Sequence, residues 1–464
     1  MSGPTRAVVL GAGLTGTLAA AALSRQLDQV TLVDGDLLPA GPQPRKGVPQ
    51  ARHAHLLWSG GARAVESLLP GTEQRLLDAG ARKTGMPDGL VSLSPQGWLR
   101  RWPQMQYLFT CTRDLLDWTV REQVLARPGI ELRQGCQAEE LLGSATRITG
   151  VRLRDRHSGT SEDCQADLVV DATGRGSRAP HWLADLGLPP VTEQTVDSGL
   201  AYATRLFRAP PGLPADFPVV NVQADPHADR PGQTATLLTV EGGKWLVTLS
   251  GTRGGEPPAA EGDFVSFARA VRHPVVGDLI AGAEPLGPVR TTRSSVNRRR
   301  FYERLPHWPD GFIVLGDAVA TYNPVYGHGM SVAAQGAVAL GYGLDRHDPA
   351  ATGTARRLQR ALARTVECAW TTATTQDVLY PEAVGEAPRL PARILQRYMD
   401  RLMVTANARP AAADALFEAL TLSGPMTRLV SPRAAFATLL GPGGGTPLPG
   451  PPLTAAETRA ARVR

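Results

Sequence analysis

Four short stretches of the chain carry the glycines and charged groups that could hold a nucleotide, and none supplies an obvious nucleophile. Gly11-Ala12-Gly13-Leu14-Thr15-Gly16 follows an apolar run at 7–10 and precedes an Ala-rich segment at 17–25. In a strand–turn–helix setting Gly11 allows the tight turn, Gly13 lets a pyrophosphate approach the backbone, and Gly16 lets helix and strand pack closely. The next apolar run, 30–33, ends at Asp34, where a carboxylate binds ribose hydroxyls. A 2′-phosphate would face that acid, so the expected nucleotide is an adenosine diphosphate such as FAD or NAD, not NADP. At 312–335 the chain reads FIVLGDAVATYNPVYGHGMSVAAQ. A buried strand closes on Gly316-Asp317, a loop follows with Asn323, Pro324, Gly327 and Gly329, and a helix opens near Met330. The unpaired N–H groups of such a helix start attract an anion or a ring carbonyl. Asp317 could accept hydrogen bonds from a sugar-like hydroxyl chain. The run 167–170 is a third strand ending on an acid and glycines, Asp171-Ala172-Thr173-Gly174. Three such ends predict a ligand lying along one sheet edge.

Other residues are weaker signals. Residues 42–55 lack periodicity and read as a loop in which Arg45 and Lys46 could meet a diphosphate. His53 and His55 stand at i, i+2 with no carboxylate partner, so they are expected to be packing histidines, and no metal site is expected. Thr112 is a suitable N-cap for a helix at 112–125. Arg113 sits in its first turn, where the helix dipole disfavours a cation, which points to a nearby anion such as phosphate.

Several elements must position these groups. A helix is expected at 56–69 and a hairpin at 90–102, with Gly97 at its turn. Strands are expected at 130–132 and 148–155. Residues 200–287 are β-rich, at 201–207, 219–222, 234–240 and 245–250, with Gly242-Gly243 as a hairpin turn. A helix at 264–281 breaks near Pro274, and 289–296 leads back to the first domain. Helices are expected at 355–380, 390–406 and 411–422, and the Pro/Gly stretch 441–452 is expected to be mobile.

The 464 residues include 42% hydrophobic and 20% charged residues, globular values. No run approaches the ~18 apolar residues of a bilayer span. The start MSGPTR has no signal pattern, which leads to the expectation of a cytoplasmic protein. Cys111, Cys136, Cys164 and Cys368 are scattered, so reduced thiols are expected. Of the basic residues only Lys46, Lys83 and Lys244 are lysine. The Arg298-Arg299-Arg300 run is expected on a solvated surface. There is no nucleic-acid motif.

Together these residues resemble the FAD-dependent monooxygenases of the p-hydroxybenzoate hydroxylase fold. That resemblance implies an α/β architecture: a Rossmann-like FAD-binding domain, an inserted mainly antiparallel β-sheet substrate domain, and C-terminal helices. It assigns 1–85, 111–195 and 291–346 to the FAD domain. A substrate-domain hairpin falls at 86–110, its β-rich body at 196–290, a helical region at 347–440 and a flexible tail at 441–464. Non-covalent FAD would be held by Gly11, Gly13, Leu14, Thr15, Gly16, Asp34, Arg45, Arg113, Asp171, Gly174, Gly316, Asp317, Gly327, Gly329 and Met330. The Asp-Ala-Thr-Gly wording at 171–174 departs from the family's Asp-Gly motif.

The strings RKGVPQARHAHLLWSGGARAVESLLPG and DLVVDATGRGSR are similar to polyene epoxidases of polyether-antibiotic pathways, whose chemistry resembles that of squalene epoxidase. The resemblance implies stereoselective alkene epoxidation of a linear polyene polyketide, free or carrier-bound, through a flavin C4a-hydroperoxide. O2 is the oxidant. NADPH or NADH supplies electrons, directly or through a separate flavin reductase. Backbone N–H groups of the Pro324, Gly327, Gly329 loop are expected to carry the stabilisation, with His328 either the one candidate proton donor or, equally, a loop histidine facing solvent. Trp98, Tyr202, Phe207 and Trp245 are candidates to line an apolar substrate pocket, against the alternative, the better one for any single residue, that they form the β-rich domain's own core. The rival readings are an aromatic hydroxylase of the same fold, a flavin halogenase, and a non-catalytic flavin redox or electron-transfer protein.

Overall fold

The structure, a computed structural model, describes residues 5–293, 296–386, 390–443 and 447–461. Positions 294–295 of the expected return segment and 444–446 of the Pro/Gly stretch lie outside the described residues.

Five parallel strands carry the site, in the order Phe312–Val314, Leu168–Asp171, Arg6–Leu10, Gln29–Asp34, Ile130–Gln134. Leu10 pairs with Val33 and with Asp171, and Asp171 with Val314, so the C-terminal tips align along one edge. The central strands are covered on both faces, which is why AVVL and LVVD are unbroken apolar runs. Helix Leu14–Leu23 is buried along nearly its whole length. Its alanines let it lie close against helices Arg113–Leu125 and Gly329–Leu344. It starts at Leu14, earlier than expected, because the extended Gly13 serves as its N-cap.

A three-stranded meander, Cys136–Gly143, Ile148–Asp155 and Ser161–Gln165, packs on this layer. Its outer strands escape a reading of apolar periodicity: one carries Gln-Ala-Glu-Glu, and the other, SEDCQ, is an almost fully exposed edge.

The second domain is a seven-stranded sheet, in the order Arg290–Thr292, Ala201–Arg208, Lys244–Gly251, Gln233–Val240, Val219–Val222, Leu90–Ser94, Gly97–Trp98. It is antiparallel except where Val219–Val222 runs parallel to Leu90–Ser94. Gly242 and Gly243 both take positive φ, +71° and +65°, as the hairpin turn requires. One face packs helices Phe264–Ala270 and Val275–Ile280. The other is covered by Leu390–Ala406 and Pro410–Leu420.

Several expectations need correction. The segment 56–69 is not one helix: Leu56–Trp58 is a strand paired with Gln106–Thr110, and the helix begins at Ser59. The helix at 355–380 divides into Thr354–Thr365 and Glu367–Asp377. The arginine run is not a solvated surface. It lies in strand Asn297–Arg300, with Arg299 bound to Glu303 and Glu367, and Arg300 to Glu193. The tail is not free: Leu448, Leu453 and Ala461 pack on the second domain's core, and Glu457 takes two 2.8 Å hydrogen bonds from Arg101. Among the described residues no helix is long and apolar enough to cross a membrane.

Candidate active site

A groove of about 600 Å³ follows the aligned strand tips. At one end it is lined by Asp34, Gly35, Asp36, Cys136, Gln137 and Arg156; at the other by His55, Leu56, Thr292, Tyr322, Asn323, Pro324, Gly327, Gly329 and Met330. Between them lie Gly11, Gly13, Leu14, Thr15, Arg45, Arg113, Gly174 and Asp317.

Two helix starts open on the groove. Helix Leu14–Leu23 has neither a side-chain cap nor an acid in its first turn, and neither has Gly329–Leu344. Their first intrahelical bonds are donated by Thr17 and Val332, leaving the N–H groups of the preceding three residues without helical acceptors. Gly11 must be glycine: its φ is +93° and a Cβ would stand 2.6 Å from the Ala172 carbonyl oxygen. A Cβ on Gly329 would meet nothing within 4 Å, so the entry to that helix is open.

The charged groups are partly spoken for. Asp34 accepts from the Ala12 and Asp36 N–H groups at 2.7 and 2.9 Å and from Arg45 Nη1 at 3.2 Å. Arg45 Nε is buried with no partner. Arg113 lines the groove while its Nε donates to Asp117 at 2.6 Å. Burial pushes the Asp317 carboxyl above the usual carboxylate range, and Arg113 and Arg175 pull it back down.

Three expected cofactor positions do not face the groove. Asp171 is fully buried and turns into its own loop, accepting from Thr173 N, Thr173 Oγ and Ser177 Oγ at 2.9, 2.6 and 2.6 Å. Gly16 and Gly316 act through close packing: a Cβ on the first would strike the Gly11 carbonyl, and one on the second the Thr15 side chain.

The four expected substrate-lining aromatics are absent from the groove wall. Trp245, Phe207 and Trp98 point to the sheet face that the short helices cover, beside Phe217, Phe264 and His273. Strand alternation sends their neighbours the other way. Tyr202 is on that opposite face, but it too is buried, and its hydroxyl donates to Asn323 Oδ1 at 2.9 Å.

His328 is not a solvent-facing loop residue. It is 3% exposed, its Nε2 lies 3.0 Å from the Leu420 carbonyl oxygen, and its Nδ1 has no partner. A carbonyl only accepts, so Nε2 carries the proton and the ring is neutral; burial lowers its pKa to about 4. Its proton is therefore committed to the C-terminal helices. His55, which does line the groove, is also neutral, with a pKa lowered to about 3 by burial and then by Arg113. Among the described residues no three His, Cys, Asp or Glu side chains gather as a metal site.

A polar cluster beneath the loop had no signature in the sequence. Buried Asp377, at the end of helix Glu367–Asp377, accepts from Asn297 Nδ2 at 2.7 Å, Asn323 Nδ2 at 2.9 Å and Tyr326 Oη at 2.8 Å. Asn323 Oδ1 in turn accepts from the Val325 N–H at 3.0 Å. These bonds fix the loop that closes the ring-sized end of the groove. Nothing in the local sequence TTATTQD marks the aspartate.

The family described as FAD dependent oxidoreductase matches residues 7–181. Protein Rv3254 of Mycobacterium tuberculosis is 32% identical over 390 residues, covering 82% of this chain and 81% of that protein. A kynurenine 3-monooxygenase of Salinispora arenicola is 29% identical over 442 residues, covering 89% and 90%. The crystal structure of PqsL, a probable FAD-dependent monooxygenase from Pseudomonas aeruginosa, superposes with a TM-score of 0.57 at 19% identity, covering 80% of this chain and 93% of that one.

Proposed function

The chain belongs to the FAD-dependent oxidoreductase and monooxygenase family, and from that premise we propose that it epoxidises alkenes of a linear polyene polyketide. In that reading the epoxidation is stereoselective and precedes polyether ring formation.

The groove suits FAD by its own chemistry. Gly11, Gly13, Leu14 and Thr15 present a bare helix start to a diphosphate, and the orphaned Nε of Arg45 can supplement it. Asp34 suits ribose hydroxyls and Asp317 a polyol chain. The start of Gly329–Leu344 suits the ring carbonyls. When bound, FAD supplies the activation of O2 and its transfer as a single oxygen atom. An alkene, O2, NADPH or NADH and a proton become an epoxide, water and oxidised nicotinamide, with or without a separate reductase.

The observation that carries the epoxidase reading is the feeble basicity of the two histidines at the ring-sized end. His55 there is uncharged and His328 behind it is tied to a backbone carbonyl. Epoxidation asks the protein to orient an apolar chain and exclude water, with no side-chain base. Pro324 shapes the loop, and the free N–H groups of Gly329 and Met330 are the donors available beside it. Hydroxylation of an aromatic ring is the second reading, favoured by the likeness to kynurenine 3-monooxygenase. Loading the purified protein with FAD and comparing linear polyenes with phenols separates the two. Epoxide formed with NADPH or NADH consumption is the expected result. A protein that is colourless and refuses added FAD would overturn both readings, and hydroxylated phenol without epoxide would select the second.

A further inference from the structure

A second cavity of about 260 Å³ adjoins the groove, and Pro49 and Thr292 line both. Its wall includes Arg52, His53, Val289, Arg290 and Thr291. His53 is 5% exposed, and its Nε2 is buried without a partner. A chain of hydroxyls leads to the other ring nitrogen. The Ala54 N–H donates to Thr248 Oγ at 2.8 Å, so that oxygen is already an acceptor. Its own proton has Thr204 Oγ within reach at 2.7 Å. Thr204 Oγ in turn lies 2.8 Å from His53 Nδ1. With the Thr204 proton given to Nδ1, the imidazole proton sits on Nε2 of a ring that lines the cavity. The ring is neutral, since burial lowers its pKa to about 4. Arg52 and Arg290 are exposed, and their guanidinium groups form no hydrogen bond or ion pair with the described residues. A buried donor without an acceptor costs free energy unless a ligand completes it.

We propose that this side cavity binds the carboxylate end of the substrate, with His53 Nε2–H as the donor and Arg52 and Arg290 as the cationic rim. The inference rests on the monooxygenase reading and narrows its substrate to an apolar unsaturated chain ending in a carboxylate. Thr204 and Thr248 are positioning residues that hold the His53 tautomer.

Sorbate and 2,4-hexadien-1-ol are matched probes that share a conjugated diene and differ in the carboxylate. Calorimetric titration of the FAD-loaded protein should show sorbate binding more tightly than the alcohol. Arg52→Ala and Arg290→Ala should each weaken sorbate by about tenfold or more, the scale of a charge-assisted hydrogen bond, and leave the alcohol unchanged. His53→Phe should weaken sorbate, and His53→Gln, which keeps a donor near the Nε2 position, should restore it in part. Nitrogen-15 correlation spectra should show His53 as the Nε2–H tautomer. Equal binding of the two probes, or an Nδ1–H tautomer, would overturn the proposal. So would an Arg52→Ala variant that loses NADPH affinity and keeps sorbate affinity, since the cavity would then serve the nicotinamide nucleotide. Arginine-dependent sorbate binding to a flavin-loaded protein that makes no epoxide would sink the epoxidase reading alone; arginine-independent binding to an active epoxidase would sink the cavity alone.

Discussion

At the scale of single residues, the glycines and the buried histidines make opposite demands. Gly11 takes a backbone conformation that an L side chain rarely adopts, and its missing Cβ leaves room for the Ala172 carbonyl just past the neighbouring strand. Gly11→Ala should therefore abolish FAD loading, read as loss of the visible spectrum. Gly41→Ala, where a Cβ would meet nothing within 4 Å, should load normally. His328 gives a pH signature. In the fold burial keeps its ring neutral down to about pH 4, against an ordinary value of 6.5. Between those values the unfolded chain binds more protons than the native one, so the contribution of His328 is complete above 6.5 and is lost as pH falls through the window. The slope approaches ~1.4 kcal/mol per pH unit. His328→Gln keeps a donor for Leu420 and does not titrate. From about pH 7.5 to about pH 5 the wild type should lose roughly 2 kcal/mol more unfolding free energy than the variant in chemical denaturation. Equal losses would mean that the folded ring is already protonated. Residue roles were legible in the sequence where a backbone shape demands one amino acid, as at Gly11. They were illegible where burial decides, as at His328, whose partner Leu420 lies 92 residues away.

At the scale of elements, the strand–glycine–helix units could be read because local sequence alone dictates them. Strand Ile148–Asp155 and helix Leu390–Ala406 fall at the residues their periodicity indicates. Thr112 caps its helix through Leu115 N at 3.3 Å. The errors share one cause, tertiary pairing that overrides local pattern. Leu56–Trp58 would continue a helix but is held extended by Gln106–Thr110. Trp98, Phe207 and Trp245 have the right chemistry for a substrate wall but lie on the other face of their sheet, in the domain's own core, which was the alternative for them. The loop from Asn323 to Gly327 takes its shape from a distant residue, Asp377. Asp377→Ala would strip the acceptor from Asn297, Asn323 and Tyr326, and an unpaired buried group costs ~1–3 kcal/mol. The variant should lose roughly 3 kcal/mol of stability and release FAD faster than the wild type, followed by the rise in free-flavin fluorescence. A stability loss with unchanged flavin release would confine Asp377 to a structural part.

At the scale of the whole molecule, two sheets with separate cores meet at the groove, and helices near the C-terminus cover the second sheet's face that looks toward it. This division separates stability from specificity. Trp245 is fully buried on the face turned away from the groove, against Phe217. Trp245→Ala should cost ~3–5 kcal/mol through the cavity it leaves. The ratio of epoxide to other products should stay at the wild-type value, because no atom of Trp245 reaches the groove wall. The last helix works on the same core from outside. Its capping box at Thr454 and Glu457 also presents the Glu457 carboxylate to Arg101, which follows the Leu90–Trp98 hairpin in the chain. Both residues are mostly shielded, at 19% and 11% side-chain exposure, so the pair resists salt better than a surface pair would. Deleting residues 447–464 should lower the Tm and leave the flavin spectrum unchanged. Arg101→Ala should reproduce part of that loss, and its effect should persist at high salt. A deletion that leaves the Tm unmoved would show that the segment does not hold the second domain together in solution.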